Sequence, residues 1–204
     1  MKYQYFIWDV GGTLFDTLKT SVKAFAQVLE EFHLQFFKSI IYQKMKETST
    51  EEAAKFFVGA QNLDRFINRY HELEASMQKN PDNFPDTKQT LKTIVEKGGE
   101  NYVISHRNLQ VVDFLKSKHL LQYFSYIITK NDGFPRKPSP VSIQYLFNHF
   151  GVKAQKTLFI GDRALDVMAG KNAGVKTALY STDDLLKVKE ADYVIHRLTE
   201  VLFL

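Results

Sequence analysis

The 204-residue sequence contains no cysteine, which excludes a disulfide framework, a thiolate zinc site and a cysteine nucleophile. No apolar run approaches the roughly 20 residues a helix needs to span a bilayer. Lys2 and the short aromatic run after it lack the hydrophobic stretch and cleavage site of a secretory leader, so a cytoplasmic protein is expected. No G-x-G-x-x-G opens a helix after the first apolar run, which makes a dinucleotide-binding protein a distant choice. Blocks of like charge are missing too: 27 basic and 23 acidic residues are interspersed. The net charge of +4 suits small anionic ligands but comes without the basic stripe of a nucleic-acid binder. Neither a nucleic acid nor a membrane is expected as a partner. There is no internal repeat or low-complexity tract. What remains, 44% hydrophobic and 25% charged residues, is ordinary for a globular chain long enough for one domain or a domain with a modest insert.

The chain has two textures. Between about Phe15 and Gln78 apolar residues recur at helical spacing: Phe25, Val28, Leu29 and Phe32; Ile40, Ile41 and Met45; Phe66, Ile67, Tyr70 and Leu73. From Pro81 onward short apolar runs alternate with helical segments. The runs are Asn101 to Ile104, Tyr126 to Thr129, Thr157 to Ile160, Lys176 to Tyr180 and Tyr193 to Ile195, and Tyr3 to Val10 joins them by composition. The expected fold is α/β: a Rossmann-like parallel sheet core flanked by helices, with an all-helical cap inserted after the first strand. The expected division is 1–16 and 84–204 for the core and 17–83 for the cap. Connectors fall near Asp16 to Lys19 and at Lys79 to Asp86, whose two prolines and Asn/Asp residues mark a linker. An insert emerging there is either a lid over the site or a static packed subdomain.

Candidate chemistry gathers where apolar runs end. Asp9 follows Tyr5-Phe6-Ile7-Trp8, and Gly11 and Gly12 after it permit a tight turn beside a bound ion or phosphate. Thr13 offers a donor for an oxyanion. Asp162 follows Thr157 to Ile160, and Asp166 lies one helical turn beyond it. Neighbouring parallel strands would carry these acids into one crevice at their C-terminal ends. Three carboxylates repel one another without a cation, and an all-oxygen set favours magnesium over zinc or copper. Ser105 follows Tyr102-Val103-Ile104 as a hydroxyl donor, with His106 and Arg107 next. Lys137, in Lys137-Pro138-Ser139-Pro140 before the helical run Val141 to Phe150, would offset phosphate charge. Phe15, Phe56 and Phe57 are candidates for pocket lining, against the commoner fate of core packing.

These four elements, in this order, resemble the motifs of the haloacid dehalogenase superfamily of aspartate-nucleophile phosphotransferases and hydrolases, with the helical insert at the place of that family's alpha-helical cap. The resemblance covers essentially the whole chain. It implies Asp9 as nucleophile and metal ligand, the Gly11 carbonyl and Asp162 as further ligands, and Asp166 holding the metal or its waters. It implies Ser105 and Lys137 as holders of the phosphoryl oxygens. The expected activity is a magnesium-dependent phosphatase of small phosphorylated metabolites using an aspartyl-phosphate intermediate.

One position departs from the pattern. In the family's phosphatases a second aspartate, two residues after the first, protonates the leaving oxygen; here that residue is Gly11. Losing such a group typically costs about 10²- to 10⁴-fold. His106, His71 or Glu74 would supply the proton, or the leaving group needs none, as in an acyl phosphate. A third course resembles phosphonoacetaldehyde hydrolases, which break a carbon–phosphorus bond with a cap lysine; Lys23, Lys44, Lys46 and Lys55 are candidates. A phosphoryl-binding protein without turnover is the alternative from another class. Dehalogenation fits poorly, because Asp162 and Asp166 are retained.

Overall fold

The computed structural model describes all 204 residues. Six strands form one all-parallel sheet: β1 (Tyr5–Trp8), β2 (Glu100–Ile104), β3 (Phe124–Ile128), β4 (Thr157–Gly161), β5 (Lys176–Tyr180) and β6 (Tyr193–Ile195). Their order is β3-β2-β1-β4-β5-β6, so the chain builds outward from β1 on one side and returns to build on the other. Ligands of open α/β sheets bind at such a reversal, outside the carboxyl ends of the strands. Here the reversal lies between β1 and β4. All four residues of β1 are buried, as expected for a central strand covered on both faces. The α/β expectation is met, including the all-helical insertion after the first strand.

Alternate side chains of the strands feed opposite faces. Phe6, Trp8, Val103, Leu158 and Ile160 pack under α5 (Thr87–Glu96) and α6 (Gln110–Ser117), whereas Ile7, Tyr102 and Phe159 pack under α7 (Val141–Phe150) and α8 (Ala164–Asn172). The four helices between β1 and the linker are α1 (Leu18–Glu31), α2 (Lys38–Glu47), α3 (Thr50–Val58) and α4 (Leu63–Met77). They share a separate apolar cluster built on Phe25, Val28, Leu29, Ile41, Met45, Phe66 and Tyr70. Ile40, grouped with Ile41 and Met45 by spacing, turns instead toward solvent, because Ile41 and Met45 at i and i+4 already define the inward stripe. No helix is long and apolar enough to cross a membrane.

Two features differ from the pattern read along the chain. The third strand begins at Phe124 and ends at Ile128 rather than running from Tyr126 to Thr129. Thr129 is taken out of the strand because its hydroxyl accepts the Asn131 N–H and caps a short helical turn. The three phenylalanines proposed for a pocket have other positions. Phe15 is fully buried against Phe114, Phe57 packs edge-on against Phe25, and Phe56 is 62% exposed.

The two connectors of the helical insertion run side by side. The Asp16 N–H donates to the Asp82 carbonyl at 2.9 Å, and the Phe84 N–H donates to the Leu14 carbonyl at 3.0 Å. Entry and exit thus form a two-stranded ladder beside the C-terminal end of β1.

A buried polar group fixes β2 within this framework. Asn101, fully buried, accepts the Trp8 indole N–H at 2.9 Å and donates to the Leu91 and Tyr123 carbonyls, each at 3.2 Å. Removing its amide leaves a buried donor and two carbonyls short of partners. Asn101→Ala is therefore expected to lower stability by about 2–4 kcal/mol, visible as a lower urea midpoint with an unchanged denaturant slope.

Candidate active site

The level register of the central strands brings the acids together. Trp8 of β1 is paired with Val103 of β2 and with Ile160 of β4, so Asp9, one residue on, and Ser105 and Asp162, two residues on, leave the sheet on one edge. One oxygen from each of Asp9, Asp162 and Asp166 lies within 4.8 Å of the others. Two glycines permit the crowding. Gly12 has φ +91°, and a Cβ there would stand 2.2 Å from Asp162 Oδ2; a Cβ at Gly161 would stand 2.2 Å from that of Asp166. Neither position accepts a side chain without displacing an acid.

Lys137 enters this cluster from the loop before α7. Its buried ammonium donates at 2.5 Å to both Asp9 Oδ1 and Asp166 Oδ1, and at 3.4 Å to the Ile104 carbonyl. Burial pulls the lysine's pKa down, but Asp166 and Asp9 outweigh it and raise it to about 12, so the group stays charged. The second oxygen of Asp166 accepts the Arg163 N–H at 3.1 Å, which ties it to the start of α8. Asp162 is less well served. Only the Thr13 hydroxyl reaches it, at 3.4 Å, although it is 2% exposed. Burial pushes its pKa up to about 7, with the nearby Arg163 opposing and Asp9 and Asp166 adding to the rise. Burial likewise raises Asp9, against the pull of Lys137.

One ammonium and the half-buried Arg163 do not balance three buried carboxylates, and the poorly partnered Asp162 is the member left over. A hard divalent cation suits that donor set. The residues present therefore fit magnesium, with Asp9, Asp162 and Asp166 able to hold it.

Asp9, Gly11, Ser105, His106, Lys137 and Asp166 line one pocket, closed on the other side by Ser49, Thr50, Tyr70, His71 and Glu74 of the helical insertion. Two of the site residues named from the sequence have roles there other than those expected. Thr13 is fully buried and turns its hydroxyl to Asp162, away from the pocket where it was expected to meet an oxyanion. His106 lines the pocket, but its Nε2 accepts the Lys137 N–H at 2.7 Å, while burial and neighbouring Lys137 and Arg136 depress its pKa to about 3. Its ring is neutral, which removes it as a proton donor through that nitrogen.

The pocket also gathers groups that periodicity and strand-end logic did not single out. Arg107, Arg136 and Arg163 all face it. Arg107 donates to Glu74 at 3.1 Å, and Glu74 also receives the hydroxyls of Ser21 and Tyr70, each at 2.6 Å. Burial works against the charged form of Glu74, but Arg107, His71, Ser21 and Tyr70 together hold its carboxyl well below the usual range. Glu74 is thus an anion with its acceptor capacity largely used. Arg136 pairs with Glu51 of α3 at 2.9 Å. Lys46, buried in α2, faces Asp183 at 3.4 Å beside the bond from Tyr42 to the same carboxylate.

The chain as a whole has counterparts among known proteins. The sequence profile of haloacid dehalogenase-like hydrolases matches residues 6–180. A pyrophosphatase PpaX from Oceanobacillus iheyensis is 27% identical across 99% of this chain and 96% of its own length. A phosphoglycolate phosphatase from Aquifex aeolicus is 26% identical over 85% of this chain and 82% of its own. Among solved structures, a hydrolase from Streptococcus pneumoniae TIGR4 is 37% identical, covering 89% of this chain and 94% of its own with a TM-score of 0.64. A haloacid dehalogenase-like family protein from Streptococcus pneumoniae is 15% identical over 99% of this chain and 98% of its own, with a TM-score of 0.85, and shares the fold.

The raised pKa of Asp162 has a measurable sign. An acid whose pKa is higher folded than unfolded makes the folded state bind the extra proton between the two values, so stability falls as pH rises through that window. His106 acts oppositely below about pH 6.5, since its folded pKa is depressed to about 3. Comparison with Asp162→Asn isolates the acid: without added metal, the wild type is expected to lose stability relative to the variant from about pH 4 to about pH 7. Millimolar magnesium should raise the wild-type melting temperature more at pH 8 than at pH 5, because its ligands must be deprotonated, and should leave Asp162→Asn nearly unmoved. Thermal melts across pH check both.

Proposed function

Because the chain belongs to the haloacid dehalogenase-like hydrolase family, and is therefore a hydrolase, we propose that it is a magnesium-dependent phosphatase of small phosphorylated metabolites. In this reading Asp9 attacks phosphorus and carries the phosphoryl group until water removes it. The observation that carries the reading is the convergence of Asp9, Ser105, Lys137 and Asp166 on one pocket, with Asp162 completing the acid cluster. The phosphatase names of the full-length relatives point the same way.

The residues divide the work by position. Lys137 holds Asp9 Oδ1 and fixes the carboxylate's rotation, while Asp9 Oδ2 takes no hydrogen bond from the protein. A carboxylate approaching a phosphate dianion meets like-charge repulsion, which Lys137 and the pocket's guanidinium groups offset. Ser105, 4% exposed at the end of β2, presents its hydroxyl to a phosphoryl oxygen. Magnesium, held by Asp9, Asp162, Asp166 and the Gly11 carbonyl, would supply Lewis-acid polarisation of the phosphoryl group. Thr13 positions Asp162 from behind.

We take residues 1–16 and 84–204 as the core and 17–83 as a cap that excludes water and selects substrates. The separate apolar cluster of α1–α4 and the paired connectors support this division. None of Lys23, Lys44, Lys46 and Lys55 lines the pocket, so carbon–phosphorus cleavage through a cap lysine has no support in the geometry. Gly11 favours one second reading, a phosphoryl-binding protein without turnover. Phosphate binding by calorimetry with no hydrolysis across a broad panel would select it.

Assays of a panel of phosphorylated metabolites test the main reading. Activity is expected to require magnesium and to vanish on chelation. Asp9→Asn is expected to lower kcat by roughly 10⁴-fold or more, as loss of a nucleophile does elsewhere; a variant that still turns over rules the mechanism out.

A further inference from the structure

The pocket is rich in fixed cations, and its transferable protons are few: beside the engaged groups that follow, it holds only His71, half exposed on the insertion and 3.9 Å from Glu74. Lys137 has three N–H groups and three acceptors, Asp9, Asp166 and the Ile104 carbonyl. The Tyr70 hydroxyl donates to Glu74 at 2.6 Å, and Glu74 is engaged as an acceptor. His106 Nε2 is engaged by the Lys137 N–H. On the Asp9 side, the space next to the backbone at Gly11 is filled by a guanidinium. A Cβ at Gly11 would stand 3.0 Å from Arg107 Nε and 2.8 Å from Thr17 Oγ1. Arg107 Nη2 is held by Glu74 at 3.1 Å and Thr17 at 3.4 Å, while Nε and Nη1 have no acceptor in the protein. A guanidinium does not give up its proton in a protein; it stabilises negative charge.

We propose, on the basis of the phosphatase reading above, that this site acts on phosphoryl compounds whose leaving group departs as an anion, an acyl phosphate or a phosphoric anhydride, and that Arg107 stabilises that anion instead of a side chain protonating it. In the first step the Asp9 oxygen–phosphorus bond forms as the bond from phosphorus to the leaving oxygen breaks. The leaving group takes the bonding pair and goes as carboxylate or phosphate, paired with Arg107 Nε and Nη1. In the second step water attacks phosphorus and loses its proton to solvent. The group expelled is now the Asp9 carboxylate, which again needs no proton. Both halves of the cycle thus obey one rule. An alkoxide leaving group, with its much higher proton affinity, is rejected for want of a donor. Gly11 is part of the device, since a Cβ there crowds the Thr17 hydroxyl at 2.8 Å and the guanidinium at 3.0 Å.

A leaving-group series with the intact magnesium-loaded protein tests this. Acetyl phosphate, pyrophosphate, glycerol phosphate and aryl phosphates of graded phenol acidity are compared. The expected result is a steep fall of kcat/KM as the leaving group's pKa rises, with acetyl phosphate turned over about 10²-fold or more faster than glycerol phosphate. The double variant Arg107→Met, Glu74→Gln removes both charges, leaves no unpaired buried carboxylate, and should lower kcat on acetyl phosphate by about 10²- to 10³-fold. Gly11→Asp should flatten the slope by restoring a donor. The wild-type slope needs no variant to fold. A shallow slope, with alkyl and acyl phosphates turned over alike, would falsify this inference while leaving the phosphatase reading intact. A shallow slope that steepens in His71→Gln assigns the proton to that half-exposed histidine and overturns it equally. Absence of turnover on every member, with no phosphoryl label on Asp9, removes the phosphatase reading and this inference together.

Discussion

The bridge from the Lys137 ammonium to Asp9 and Asp166 is the contact around which the molecule is arranged. Two carboxylates at the carboxyl edge of a buried parallel sheet cannot stand side by side uncompensated. Their compensation comes from a residue far along the chain, so β1, β4 and the loop before α7 must all be in place before the site exists. The level register of β1 with both neighbours sets the edge, and the glycines at 12 and 161 let the acids close in. The charge left over at Asp162 makes the three acids a set that could hold a cation.

Much of this was legible in the sequence, for a physical reason. Residues that must leave a buried strand at its carboxyl end have an apolar run immediately before them, so Asp9, Ser105 and Asp162 advertise themselves locally. Lys137 is flagged by the prolines after it and by the helical run Val141–Phe150, which the structure reproduces. The all-helical insertion announced itself by a change of period. What was not legible depends on where distant groups meet. The Thr13 hydroxyl points at Asp162 because the two are brought together across 149 residues, and no local pattern says so. Arg107 was visible only as a neighbour of Ser105; that its guanidinium fills the space beside Gly11 follows from the meeting of three separate loops. Phe15 and Phe57 took the commoner course of core packing, because large apolar groups bury themselves where packing allows, while Phe56 stays exposed.

Contacts between the insertion and the sheet are mainly polar. Glu74 with Arg107, Glu51 with Arg136, and Lys46 and Tyr42 with Asp183 join them. The apolar cluster of α1–α4 is complete without the sheet's own clusters. Exposed ion pairs such as Glu51 with Arg136 contribute little, about 0–1 kcal/mol. The Glu74–Arg107 pair is different, because it is largely shielded and separating it leaves the Glu74 carboxylate without its guanidinium partner. The geometry of the pocket roof therefore depends on one contact more than on the others.

The adjacency of Asp16 and Asp82 carries a consequence for how such a chain is assembled. Some sixty-five intervening residues begin and end at one rung, so the entropic penalty for joining the flanking segments is the same whether that excursion is long or short, to within the slow logarithm of its length. A roof attached in this way is exchangeable: another bundle, or a simple hairpin, fits the same two pegs without altering the floor below. The excursion and the strand tips are thereby free to change separately.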